Sequence, residues 1–95
     1  MKLRYTLRAA EELDQVLSYI DERSPQGAHH VKTRIEAIFD LIALHPHAGQ
    51  LTNTRALRRV VVHPYPYLIF YTATDDEVVI HGVRHAARRP PSKPD

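Results

Sequence analysis

Two apolar stripes at helical spacing, separated by a serine–proline pair and followed by three β-branched runs, leave this chain few ways to fold. Leu13, Val16, Leu17 and Ile20 recur at the spacing of one helix face, with Ala10 extending the stripe and Tyr19 flanking it. Ala28, Val31, Ile35, Ile38 and Ile42 form a second stripe, broadened by Phe39, Leu41 and Leu44. Ser24-Pro25 stops one helix and starts the next, because a serine hydroxyl accepts from a first-turn N–H and proline is preformed for the first helical position. Thr6 can cap the first helix in the same way, and Glu11, Glu12 and Asp14 follow near its positive dipole end. His45-Pro46 closes the second helix, since proline biases its predecessor away from helical angles. Helices joined by a link of about three or four residues pair as an antiparallel hairpin.

Past the second helix the period changes. His47–Arg55, with Gly49 and Asn53, reads as a loop or one irregular turn. Leu57–Val62, Tyr67–Thr72 and Val78–Arg84 read as strands. The turns between them are His63-Pro64-Tyr65-Pro66, whose prolines cannot donate to a ladder, and the charged Thr74–Glu77. Lys2–Tyr5 alternates briefly and reads as a first strand. The expected architecture is α+β in the order β-α-α-β-β-β, a helical hairpin packed on an antiparallel sheet whose last three strands form a meander. Residues 1–89 make one domain, and residues 90–95, poor in apolar side chains, are expected to be a flexible tail.

Composition narrows the chemistry. The 95 residues have room for one domain and hold no cysteine, which removes disulfides, thiolate metal sites and cysteine nucleophiles. No apolar run reaches the roughly 18 residues of a membrane span, and the N-terminus lacks the apolar segment of a secretory signal. A cytoplasmic protein is expected. Adjacent helical residues His29 and His30 point about 100° apart, His45 and His47 flank a proline, and no histidine spacing matches a zinc site. Neither metal nor cofactor is expected. Glu11, Glu12, Asp14, Glu36 and Asp40 form no credible carboxylate pair, because nothing places two of them in a shared pocket. The net charge is +2, but residues 51–95 carry 7 of the 13 cations against 4 of the 11 acids. Ten of the cations are arginines, whose planar forks suit phosphates and carboxylates.

The order of these features resembles the RelE/ParE superfamily of toxins. The resemblance rests on Tyr5-Thr6 before a helix, the Ser24-Pro25 restart, His45-Pro46-His47-Ala48-Gly49, the run Leu57-Arg58-Arg59-Val60-Val61-Val62, Pro66-Tyr67-Leu68-Ile69-Phe70-Tyr71, and Val83-Arg84-His85-Ala86-Ala87-Arg88. It covers residues 2–89. It implies a type II toxin–antitoxin pair in which a cognate ParD-like antitoxin wraps the toxin as a hetero-oligomer. RelE-like members cleave messenger RNA on the ribosome, and ParE-like members stall DNA gyrase with broken DNA, an activity tied to plasmid stabilisation. The Pro64-Tyr65-Pro66-Tyr67 segment and the early end of the chain are closer to ParE. The RelE branch places an arginine after the tyrosine of the second meander strand, where this chain has Leu68, and a tyrosine beyond the last basic segment, where it has Pro90-Pro91. Arg88 matches that branch's remaining arginine only loosely. RNA cleavage needs a general base and a general acid besides a group for the phosphate charge, and a pair drawn from His63, His81 and His85 is the nearest substitute.

The resemblance thus implies a gyrase inhibitor that acts by binding, with no catalytic residue and no small-molecule substrate. The alternatives are a ribosome-dependent endonuclease and a degenerate member that only binds its antitoxin. Arg59, Arg84 and Arg88 are the expected target-binding residues, as a basic surface for gyrase and its DNA. Arg58 and Arg59 are adjacent on a strand, so only one of them can face the helices. Tyr65, Tyr67 and Tyr71 are the expected antitoxin contacts. Tyr67, Ile69 and Tyr71 share one strand face, and Leu68, Phe70 and Thr72 share the other, so one apolar face should be left for a partner.

Overall fold

The local stop signals act where the sequence puts them. In the computed structural model, which describes residues 1–87, strand β1 (Lys2–Tyr5) leads into helix α1 (Leu7–Asp21), and helix α2 spans Pro25–Leu44. The Thr6 hydroxyl accepts from the Ala9 N–H at 3.0 Å and the Ser24 hydroxyl from the Gly27 N–H at 3.0 Å. His45 leaves helical geometry directly before Pro46. Then come β2 (Gln50–Leu51), β3 (Arg58–Val61), β4 (Tyr67–Ala73) and β5 (Glu77–His85). The sheet order is β1-β5-β4-β3-β2. Arg88 and the proposed tail at 90–95 lie outside the described residues. No helix of the described chain is long and apolar enough to cross a membrane.

The architecture is the expected helical hairpin on a sheet, with two additions. Strand β2 arises inside the segment read as a loop, where Gln50 and Leu51 pair antiparallel with Arg59 and Arg58. Strand β1 pairs with β5 in parallel, Leu3 opposite Val78 and Tyr5 opposite Ile80. The meander β3-β4-β5 is antiparallel because its turns are short, whereas the helices intervening after β1 free its direction.

One helix supplies most of the helical core. Val31, Ile35, Ile38, Phe39 and Ile42 of α2 are buried against Val62, Ile69, Val78, Ile80 and Val83 of the meander and its turn. From α1 only Ala9 is fully buried, not Ala10. Leu13, Val16, Leu17 and Ile20 pack on the core while partly exposed. Leu41 and Leu44 do not widen the α2 core stripe, being 46% and 74% exposed. The reason is positional. Helix α1 packs chiefly against β5 and α2, beside the sheet as much as over it.

Glu12 makes that edge packing specific. Strand β1 stops pairing at Ile80, and the Thr6 N–H donates to the Ile80 carbonyl at 3.0 Å as the last backbone bond of that seam. Further along β5, the Glu12 carboxylate takes the place of a neighbouring strand. Its Oε1 accepts the Val83 N–H at 3.0 Å, and its Oε2 pairs with Arg8 Nε at 3.2 Å. The first turn of α1 holds no acid, so Glu12 serves the sheet edge rather than the helix dipole. Gly82 is required beside it, since a Cβ there would come within 2.8 Å of Glu12 Oε1. Glu12→Ala should cost roughly 1–3 kcal/mol by leaving a buried N–H unpaired, read by urea denaturation. Amide exchange at Val83 should quicken in step, and Glu12→Gln, which keeps an acceptor, should recover most of the loss.

Candidate functional site

Strand alternation sorts the meander into two faces. Tyr67, Ile69 and Tyr71 of β4 point into the core under the helices, while Leu68, Phe70 and Thr72 point away and are half-buried. Cross-strand register carries the sorting to the neighbours. Arg59 lies opposite Phe70, Arg58 opposite Tyr71, and Arg84 opposite Leu68. Arg59 and Arg84 therefore flank Phe70 on the outer face, one from each neighbouring strand. The Arg84 guanidinium sits 5.7 Å from the Phe70 ring centroid. Gly82, opposite Phe70, offers no side chain to cover the ring from that strand.

The adjacent arginines have opposite duties. Arg58 faces the helical side, where its Nη1 donates to the Gly49 carbonyl at 2.7 Å and the His47 carbonyl at 3.3 Å. It ties the link after α2 to the sheet. Arg59 is exposed and has no hydrogen-bond, ion-pair or ring partner among the described residues. Arg84 is held loosely, its Nε 3.9 Å from a Glu12 oxygen already committed to Arg8. Two of the three expected target-binding arginines, Arg59 and Arg84, thus share one face, and Arg88 lies outside the described residues. The Arg4–Glu77 pair, at 3.1 Å, neutralises itself at the far edge.

The expected tyrosine surface needs correction. Tyr71 is 0% and Tyr67 7% exposed, so neither forms a surface patch. The Tyr71 hydroxyl donates to the Pro46 carbonyl and accepts from the Gly49 N–H, both at 2.8 Å. Tyr67 packs edge-on against His85 with ring centroids 5.3 Å apart. Tyr65 is partly buried against the core at the β3–β4 turn. The apolar face left outward belongs to Leu68 and Phe70 instead. The sequence places Phe70 with Leu68 on one of two apolar faces of β4 without deciding between them, and its register with Arg59 and Arg84 marks it.

The histidines do not assemble. The register slips at Phe70–Tyr71 and leaves His81 as the extra residue of a bulge, with its Nε2 2.9 Å from Thr72 Oγ1. His85 lies opposite Tyr67 on the helical side, and the His63 carbonyl accepts from Arg34 Nε at 2.6 Å. Among the described residues no three His, Asp or Glu side chains gather where one ion could be held.

Comparison with known proteins identifies the family to which this chain belongs. Residues 3–90 match the family model of the ParE toxin of the type II toxin–antitoxin system parDE. The toxin RelE2 of Caulobacter vibrioides is 39% identical over 84 residues, covering 88% of this chain and 93% of RelE2. Y4kP of Sinorhizobium fredii is 34% identical over 90 residues, covering 95% of this chain and 93% of Y4kP. A chain from the solved chromosomal ParDE TA system of P. aeruginosa superposes with a TM-score of 0.77 at 18% identity, over 90% of this chain and 95% of that one, a likeness of fold. The chain belongs to the ParE toxin family and is the toxin of a type II toxin–antitoxin system, which implies an antitoxin partner.

Proposed function

We propose that this toxin inhibits DNA gyrase by binding, through the outer face of its meander, and that its antitoxin holds it inactive in the cytoplasm. The observation that carries this reading is the pairing of Leu68 with Arg84 across β4 and β5. The position where the RelE branch carries a strand arginine holds an apolar side chain. The cations present are instead arrayed around Leu68 and Phe70 without an accompanying acid–base pair. Such a surface suits recognition of an anionic target more than proton transfer. Tyr65, at the β3–β4 turn, is the one member of the tyrosine set left with partial exposure for an antitoxin contact. The second reading, a ribosome-dependent endonuclease, has His81 on the same side of the sheet in its favour.

Expression without antitoxin separates the two. The gyrase reading expects DNA breaks and altered plasmid supercoiling with intact messages at early times. Rapid message cleavage in a translating extract that contains no chromosomal DNA would transfer the assignment to the second reading. An absence of any growth effect would leave a member that only binds its antitoxin.

A further inference from the structure

The outer face combines an aromatic ring with a cation on either side of it: Arg59, which has no carboxylate against it among the described residues, and Arg84, which has only the long 3.9 Å contact to Glu12. Arg59, Phe70 and Gly82 lie in one row across three strands, and Arg84 is set two residues along β5 from Gly82. With strands about 4.8 Å apart and residues about 3.3 Å apart along them, the two arginine stems rise about 12 Å from one another with the ring between. Arg59 has no partner among the described residues, and the guanidinium of Arg84 already lies against the ring. Sequence-tolerant binding of single-stranded nucleic acid uses this combination, bases stacking on an aromatic side chain while flanking cations take the phosphates. A duplex hides its base faces in its own stack and cannot use the ring.

We infer that the outer face of β3-β4-β5 binds a single DNA strand, one base stacking on Phe70 and the adjoining phosphates held by Arg59 and Arg84. The inference rests on the gyrase reading only for the choice of DNA over RNA, since gyrase is where this toxin would meet an opened strand. It narrows the expected basic surface for gyrase and its DNA to a site for an unpaired strand, and it names Phe70 as the residue on which a base stacks. The bulge at His81 increases the local twist of β5 between Ile80 and Gly82, beside the row that carries the ring.

The test is fluorescence anisotropy of a labelled oligothymidylate titrated with the folded chain, beside oligouridylate and a blunt duplex, between about 50 and 200 mM salt. Oligothymidylate should bind best, with log K falling against log salt at a slope of about −1.4, as two single-strand phosphate contacts require. Phe70→Leu, which keeps apolar bulk but removes the ring, should weaken binding at least about fivefold without changing that slope, and Phe70→Tyr should restore it. Arg59→Ala with Arg84→Ala should flatten the slope. No binding of oligothymidylate, or equal binding by Phe70→Leu, overturns the inference, as does a duplex bound more tightly than the single strand. Tighter binding of oligouridylate overturns the choice of DNA and favours the endonuclease. Gyrase inhibition is measured separately. Inhibition without strand binding would sink this inference alone, and strand binding with gyrase unaffected would sink the gyrase reading alone.

Discussion

Replacing Gly49 by alanine is expected to destabilise the fold by about 3 kcal/mol and to lower Tm by roughly 12–24 °C. Gly49 is needed here for space. A Cβ at this position would come within 2.7 Å of both Cε1 and the hydroxyl oxygen of Tyr71. Tyr71 cannot retreat, because its ring is fully buried and its hydroxyl is held from two sides by Pro46 and Gly49. The substitution therefore overpacks a rigid ring and disturbs two buried hydrogen bonds together. It also loosens the Gly49 carbonyl that anchors Arg58, next to Arg59. Tyr71→Phe provides the comparison. It removes the hydroxyl, leaves the Gly49 N–H and Pro46 carbonyl unpaired, and should cost roughly 1–3 kcal/mol. Urea denaturation of both variants should rank Gly49→Ala as the more damaging. A smaller loss for Gly49→Ala than for Tyr71→Phe would mean that the link at 46–49 yields easily, contrary to the packing described.

The second large effect is functional. The double variant Arg59→Ala, Arg84→Ala should lose at least about 100-fold in target inhibition, since each charge-assisted contact contributes roughly 1.5–3 kcal/mol. Its stability should be nearly unchanged. Arg59 is exposed without a partner among the described residues, and Arg84 has only a long contact to Glu12, the kind of exposed pair that adds little to folding. The separation of toxicity from stability is the informative result, so growth after induction and thermal unfolding are measured on the same protein. Arg58→Ala is the contrasting neighbour. It loses hydrogen bonds to the His47 and Gly49 carbonyls, so its defect should appear first in unfolding.

The pattern of these effects reflects what a sequence can and cannot encode locally. Helix limits were legible because Thr6, Ser24, Pro25 and Pro46 act on backbone groups within a few residues of themselves. The three meander strands were legible from their β-branched runs and proline-marked turns. The parallel pairing of β1 with β5 was not, because it joins residues more than seventy positions apart and no tight turn fixes its direction. The same distance hid the role of Glu12, whose partner Val83 is 71 residues away. Strand β4 is apolar on both faces, so alternation alone could not say whether Tyr67 and Tyr71 or Leu68 and Phe70 turn outward. The matter is decided by the buried hydroxyl site that Pro46 and Gly49 offer to Tyr71. Arg58 and Arg59 posed the same ambiguity, resolved by register with β4. Arg59 and Arg84 could be singled out from sequence as cations near strand ends, but their placement around Phe70 follows only once three strands are in register.

Whether the outer sheet face of this ParE family toxin acts on gyrase is decided with purified components. The most direct measurement uses purified gyrase, relaxed plasmid, ATP and the toxin freed of antitoxin, followed by detergent and protease to reveal trapped breaks. The parent chain should abolish supercoiling and accumulate linear, protein-linked DNA, and Arg59→Ala, Arg84→Ala should do neither at the same concentration. Undiminished supercoiling by gyrase in the presence of excess folded toxin would rule out gyrase as the target.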